Sequence, residues 1–401
     1  MNRISSTRLN AGQYLVSATA FFSLFSLVGI MFYGLPFFYD FWVKDFGWSR
    51  ATVTSGNAFG RVIVGLFGFI AGWLIDRYGP RRIMLFGILF GGISLMALSK
   101  MSSLGQFYFI YIISALGYMC GGPLPNQVLI SHWFARSRGR MMGIAYLGIG
   151  IGGMLVPQMA KWLNAMFGWH QALFILGMLI IVLSFPLAWF VRNAPKKPSG
   201  ERIVEEKKIP LHVILKNRPF YLLLVGSMCA IAAVSGTIQN LKLFFTLDLK
   251  YAQAHSANII SLILLSSIFG RLLVGWMADR YPKKFVMILL SVIVACAILL
   301  LYFISCPWII YLFAFVFGIG LGGDYMIIPL IAAELFGLKV LGRIMGIILA
   351  ADSIADALAP TLVGWLADRF GNYTHAFSIL VLFAAMGIAA ISLLPRKIQL
   401  P

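Results

Sequence analysis

The chain has 401 residues, 60% hydrophobic and only 11% charged, with 32 Lys and Arg against 13 Asp and Glu for a formal charge of +19. Soluble domains average roughly 45–50% apolar and about 25% charged residues, so this composition cannot build a water-facing surface, and it excludes disordered and collagen-like chains. Its four Cys are too sparse for a disulfide scaffold, while the net charge invites a nucleic-acid reading that the placement of the cations must decide.

A helix crossing a hydrocarbon core of about 30 Å needs about 20 apolar residues. Residues 11–43 supply the first such stretch, behind Arg3 and Arg8. It is far longer than the roughly 7–15-residue apolar core of a signal peptide and reads as a retained first span. Hydropathy then predicts spans near 52–75, 83–99, 105–132, 141–163 and 170–191. A polar linker follows over 192–218, with Pro195, Pro198 and Glu205-Glu206-Lys207-Lys208. Further spans are predicted near 219–247, 255–278, 285–304, 307–335, 344–367 and 373–394. The expected fold is an all-α membrane protein of twelve transmembrane helices, with six-helix bundles over 1–191 and 219–401.

Both termini, the linker and one set of loops hold 23 of the 32 Lys and Arg, among them Arg77, Arg81, Arg82, Arg140, Lys283, Lys284 and Arg343. The opposite loops and helix ends hold seven, and Arg61 and Arg271 fall inside spans. Cations concentrate on the cytoplasmic side of short loops. The expected topology therefore has both termini and the linker in the cytoplasm, and the charge marks topology rather than nucleic acid.

Self-comparison at a shift of 203 residues reveals an internal repeat. Gly72-Trp-Leu-Ile-Asp76-Arg77-Tyr78 falls on Gly275-Trp-Met-Ala-Asp279-Arg280-Tyr281, and Arg140, Met142, Gly143 and Pro157 fall on Arg343, Met345, Gly346 and Pro360. An even number of spans per copy makes the copies parallel repeats. The segment Gly72–Arg82 resembles the loop motif between helices 2 and 3 of the major facilitator superfamily. Its chemistry suits a latch on the cytoplasmic face. Gly72 and Gly275 admit a neighbouring helix closely, Asp76 and Asp279 can face a helix N-terminus, and Arg77, Arg81, Arg82 and Arg280 can anchor at anionic headgroups. Gly364–Gly371 reads as a third copy on the outer face, with a different task.

The stretch Pro329–Leu338 with Met345-Gly346, Ala359-Pro360, Gly364-Trp365 and Asp368–Phe377 resembles helices 10 to 12 of the monocarboxylate transporter family and its bacterial relatives, the oxalate/formate antiporter group. Tyr33–Pro36, Phe46–Arg50, His132–Phe134 and Met142–Tyr146 fit the same group. The chain departs from it at Phe37, where many members carry Lys, and at Ser267, where an acid precedes the helix 8 Arg.

An ionisable side chain within the bilayer costs about 2.5–3.5 kcal/mol on insertion scales and is a functional candidate by default. Arg271 lies eight residues from Asp279, hence about 12 Å deep. The resemblance implies that it receives the substrate carboxylate, and an always-charged guanidinium suits that task; the alternative is a structural Arg. Asp352 and Asp356, at i and i+4, lie about 14 and about 20 Å deep counted from Arg343, and Asp324 about 15 Å counted from Glu334. Two carboxylates one turn apart in low dielectric cannot both ionise cheaply. The expected arrangement is that Asp352 or Asp356 alternates between pairing Arg271 and holding a proton, against a static Arg–Asp pair. Arg61 lies fifteen residues from Asp76, about 22 Å away, as a second positive centre, an outer gate or a structural Arg.

Asn126, Gln127, Tyr146, Gln239, Asn240 and Tyr325 are uncharged candidates for ligand contact, with interhelical hydrogen bonding as the alternative. Tyr33 and Phe37 are candidates for an aromatic wall. The cysteines read as buried small hydrophobes, and His132 and His170 as solvated span ends. No phosphate-cradling loop ends in Gly-Lys-Ser/Thr, and no His/Cys cluster has metal spacing, so neither an enzyme activity nor a metal or cofactor is expected. The expected function is secondary transport of a small organic anion, driven by protons or by counter-anion exchange, by a monomer in a bacterial inner membrane. The alternatives are a carrier of a larger anionic metabolite, siderophore or drug, and a transporter-like sensor.

Overall fold

The computed structural model describes residues 10–191, 211–303 and 307–395. Arg3, Arg8, Cys306, Arg396, Lys397 and linker residues 192–210, to which the topology reading assigned most of its terminal and linker charge, lie outside the described residues. Among the described residues the architecture is helical, without strands. The spans are α1 (Ala11–Phe46), α2 (Arg50–Tyr78), α3 (Pro80–Leu98) and α4 (Leu104–Trp133). The run Arg138–Phe190 bends at Gly168 into α5 (138–167) and α6 (169–190). Then come α7 (Arg218–Asp248), α8 (Gln253–Arg280), α9 (Lys283–Leu300), α10 (Pro307–Phe336), α11 (Leu341–Phe370) and α12 (Ser378–Ser392). Among the described residues ten helices are long and apolar enough to cross a membrane; dividing the 53-residue run and adding the shorter α12 brings the spans to twelve.

Local chemistry sets the boundaries. Ser49 caps α2 by accepting the Thr52 amide at 3.0 Å, which satisfies one of the free donors at a helix start. The loop expected between 163 and 170 is absent. Gly168 alone leaves the helical region, at φ 76° and ψ 164°, a conformation that excludes most L side chains. α1 takes in a π-helical stretch over Phe25–Gly34 and a 3-10 turn over Leu35–Phe38 without a break, and runs on to Phe46, where Gly47 at φ 66° ends it. α4 divides at Gly122, before Pro123, into Leu104–Gly121 and Pro123–Trp133.

The exterior and interior are sorted as a bilayer requires. Leu66, Phe109, Phe190 and Leu358 are each more than 60% exposed, whereas Phe38, Trp42, Phe107, Phe244 and Phe313 are fully enclosed. Cys229 is buried as expected, but Cys296 faces outward, so it packs no core. His132 and His170 are exposed at span ends.

Two long contacts join the first six spans to the last six: α2 lies along α11, and α5 along α8. The repeat also places equivalent cations on equivalent helix ends. Arg81 Nη2 donates to the Trp189 carbonyl at 2.5 Å, and Lys284 Nζ to the Ser392 and Leu394 carbonyls at 2.7 and 2.5 Å. Arg81 and Lys284 are 203 positions apart, as are Trp189 and Ser392. Arg81 therefore neutralises the free carbonyl end of α6, a partner that its reading as a headgroup anchor did not include. Arg81→Ala and Lys284→Ala should each cost about 0.3–1 kcal/mol, seen as a small drop in unfolding temperature with transport retained.

Candidate functional site

The latch motifs meet across the two halves. Asp76, near the end of α2, accepts the backbone N–H groups of Gly342 and Arg343 at 2.8 and 3.0 Å, and Arg343 Nε at 3.0 Å. Asp279, near the end of α8, accepts the N–H groups of Gly139 and Arg140 at 2.6 and 3.1 Å, and Arg140 Nε at 3.1 Å. Each carboxylate thus sits at the positive end of a helix from the other half. The glycines make room: a Cβ at Gly72 would overlap the Gly342 carbonyl, and one at Gly275 would lie 2.7 Å from the Gly139 oxygen. Arg77 and Arg280 stand outside the latch, over the rings of Trp73 and Trp276 at 5.1 and 4.3 Å. The third copy keeps only that feature, Arg369 over Trp365 at 5.5 Å. It lies at the opposite end of α11, where Asp368 makes no hydrogen bond or ion pair among the described residues.

A cavity of about 140 Å³ lies between the halves, framed by α1, α2, α4, α10 and α11. Its wall is mainly apolar, and its charged members are Arg61, Asp352 and Asp356. Arg61 of α2 forms an ion pair with Asp356 of α11. The guanidinium lies 5.2 Å from the centre of the Phe32 ring, and Gln239 Nε2 of α7 donates to Asp356 Oδ1 at 3.3 Å. Four helices, two from each half, therefore converge on one charge pair. Asp352 is 2% exposed, and its two oxygens lie 2.7 and 2.8 Å from the Ser227 hydroxyl.

Arg271 corrects the expected Arg–Asp arrangement. It is buried on α8 against Gly150 of α5, off the cavity wall. Its Nη1 donates to Ser267 Oγ at 2.8 Å, and its Nε has no hydrogen-bond partner. Among the described residues no carboxylate lies within ion-pair distance of it; Asp356 is held by Arg61 and Asp352 by Ser227. Equal depth sets a level in the bundle but not the side of the helix that a residue occupies. Asp324 is likewise buried off the cavity wall, and its Oδ2 has no partner.

The uncharged candidates divide. Tyr325 lines the cavity, and Gln239 reaches its charge pair. Asn126 does neither: its Nδ2 donates to the Gly121 and Gly122 carbonyls at 3.0 and 2.7 Å, which the break in α4 leaves open. Asn240 Nδ2 donates to the Gly236 and Pro360 carbonyls at 2.9 and 3.1 Å and ties α7 to α11. Gln127 and Tyr146 are buried and bonded to each other at 2.5 Å. Tyr33 packs beside Gly153, and Phe37 against Phe38 and Phe41, both away from the cavity wall. Ser227 and Tyr118 were not anticipated; a lone polar residue in a helix carries no signal of its own. The Arg61–Asp356 pair did leave one, since Asp76 touches Arg343 and the two residues lie about 22 and about 20 Å from that contact.

The family model described as Major Facilitator Superfamily matches residues 20–360 and 248–399. The chain belongs to that superfamily. A probable hexose phosphate transport protein of Chlamydia trachomatis is 27% identical, over 91% of this chain and 89% of the relative. Monocarboxylate transporter 13 of Bos taurus is 24% identical, over 96% of this chain and 89% of its own length. The solved major facilitator transporter FucP, in the outward conformation, superposes with a TM-score of 0.75 at 13% identity, covering 95% of this chain and 97% of its own. The resemblance read from the latch motif and from helices 10 to 12 is borne out at the level of the superfamily. This major facilitator protein is an integral, multi-pass membrane protein of a transporter family.

Proposed function

We propose that this major facilitator protein is a secondary active carrier of a small organic anion, a monocarboxylate or a related carboxylate. It works by alternating access, with proton coupling or exchange. The latched end is the cytoplasmic end, as the cation-rich loops require, and the six-helix bundles 1–191 and 219–401 rock about the cavity. The carrier functions as a monomer in a bacterial inner membrane and needs no cofactor.

Arg271 carries this reading. A guanidinium that stays charged, buried with a serine hydroxyl but no carboxylate, calls for an anion. Two of the relatives are named for an anionic cargo, a hexose phosphate and a monocarboxylate. The cavity of about 140 Å³ favours a small acid over a siderophore or drug. Its two aspartates against one arginine oppose the second charge of a sugar phosphate. One of Asp324, Asp352 and Asp356 carries the proton.

Uptake of labelled mono- and dicarboxylates into proteoliposomes, with and without a pH gradient, tests this directly. At least one monocarboxylate should accumulate faster under the gradient or on exchange. One of the Asp→Asn variants should lose proton–substrate coupling while still exchanging substrate. Absence of uptake for every acid, with and without a counter-acid inside, overturns the carboxylate reading.

A further inference from the structure

We propose that Asp356 is a tethered stand-in for the substrate: its carboxylate occupies an anion site centred on Arg61, and an incoming carboxylate takes its place. The inference rests on the anion-carrier reading and adds to it a site other than Arg271. Arg61 is the one cation among the residues lining the cavity. The group it holds is a carboxylate supplied by the other half of the protein. The surroundings are those of a ligand site: the Phe32 ring over the guanidinium, Tyr118 and Tyr325 in the lining, and a mainly apolar wall for the rest of a small acid.

The repeat argues against a purely structural pair. At a shift of 203 the Arg61 position becomes Leu264, and Asp356 corresponds to Gly153. The equivalent interface, α5 along α8, holds together with no charge at that level. Asp356 is also the one of the three acids that sits on Arg61 at the cavity wall. Asp352 is held on both oxygens by Ser227, and Asp324 lies off the cavity wall. A displaced Asp356 keeps the Gln239 amide. Charge balance then asks for one proton on the displaced carboxyl. The groups facing it are Arg61 of α2, Gln239 of α7, Tyr118 of α4, Tyr325 of α10 and Asp352 one turn away on α11. A monocarboxylate and one proton leave the site as neutral as the pair they replace. A dianion does not.

Equilibrium binding of labelled acetate, lactate, oxalate and glucose 6-phosphate to the purified full-length protein tests the assignment. Removing the internal competitor should improve the site, so Asp356→Asn is expected to bind acetate or lactate about tenfold or more tightly than the parent. Its affinity should no longer change with pH. The gain should be absent in Arg61→Gln and in the double variant Arg61→Gln/Asp356→Asn, where any binding left is that of Arg271, and partly kept in Arg61→Lys/Asp356→Asn, with thermal unfolding confirming that each variant is folded. If the parent binds none of the four acids, Asp356→Asn should still reveal binding. Weaker or unchanged binding in Asp356→Asn, no binding in either form, or a gain that persists without Arg61 overturns the proposal. Proteoliposome uptake by the parent reports separately on the carrier reading, so the two can fail independently.

Discussion

Replacing Asp76 and Asp279 together with Asn is expected to spring the closed end of the transporter. Each carboxylate accepts two backbone N–H groups from the first turn of a helix in the other half, plus one arginine N–H. Hydrogen bonds to a charged group contribute about 1.5–3 kcal/mol, and Asn retains a single neutral acceptor. A loss of about 1.4 kcal/mol per latch is a factor of about ten in the closed-to-open ratio. The two latches share no partner, so the factors should multiply. The sites should differ in size. Arg343 is 27% exposed beside Asp76 and Arg140 is 59% exposed beside Asp279, and exposed ion pairs contribute little. Asp76→Asn should therefore be the stronger single variant. A cysteine placed at Leu341, fully buried beside the latch, reads this out in a background lacking the native cysteines. Its maleimide labelling should rise about tenfold or more for Asp76→Asn, by a smaller factor for Asp279→Asn, and by the product of the two for the double variant. Unchanged labelling would remove the latch function.

That end of the molecule was readable because it depends on local sequence. A glycine that lets two helices touch and an aspartate one turn on need no knowledge of which helix lies opposite. The 203-residue repeat then says that the contact is made twice. The spans were equally legible, since apolar length is counted along the chain. What the sequence lacked was the rotation of each helix about its axis. Arg271, Asp324 and Asp352 were expected at similar depth, but depth does not say which residues look at each other. Asp356 turned to Arg61 instead. Asn126 failed differently. The break at Gly122, signalled by Gly-Gly-Pro, freed two carbonyls, and a polar side chain four residues on was consumed in satisfying them. Arg81 was claimed in the same way by the end of α6. Polar residues beside an interruption in a membrane helix are first candidates for repairing that interruption, because an unmet carbonyl in hydrocarbon costs several kcal/mol.

Arg271 offers the largest expected effect, and one with an unusual sign. If its guanidinium receives the substrate carboxylate, Arg271→Gln should reduce uptake by about a hundredfold or more while leaving the unfolding temperature unchanged or raised. Burying a cation without a carboxylate costs stability that a neutral side chain recovers, and Gln can still meet the Ser267 hydroxyl. The repeat supplies the control for the fold. Shifted by 203 residues, Arg271 corresponds to Gly68 and Gly143 to Gly346. In the first interface Gly68 and Gly346 approach backbone to backbone, and in the second Gly143 packs on the Arg271 carbonyl. The same helix crossing is built once with glycine and once with arginine, so its packing does not require a cation. Arg271→Lys should fall between the extremes, keeping the charge but losing the planar fork that grips a carboxylate with two N–H groups. A structural arginine predicts the opposite pattern: a marked loss of thermal stability in Arg271→Gln, with uptake falling only in step with the amount of folded protein. Uptake rates normalised to folded carrier, set beside the unfolding temperatures of the three proteins, separate the two.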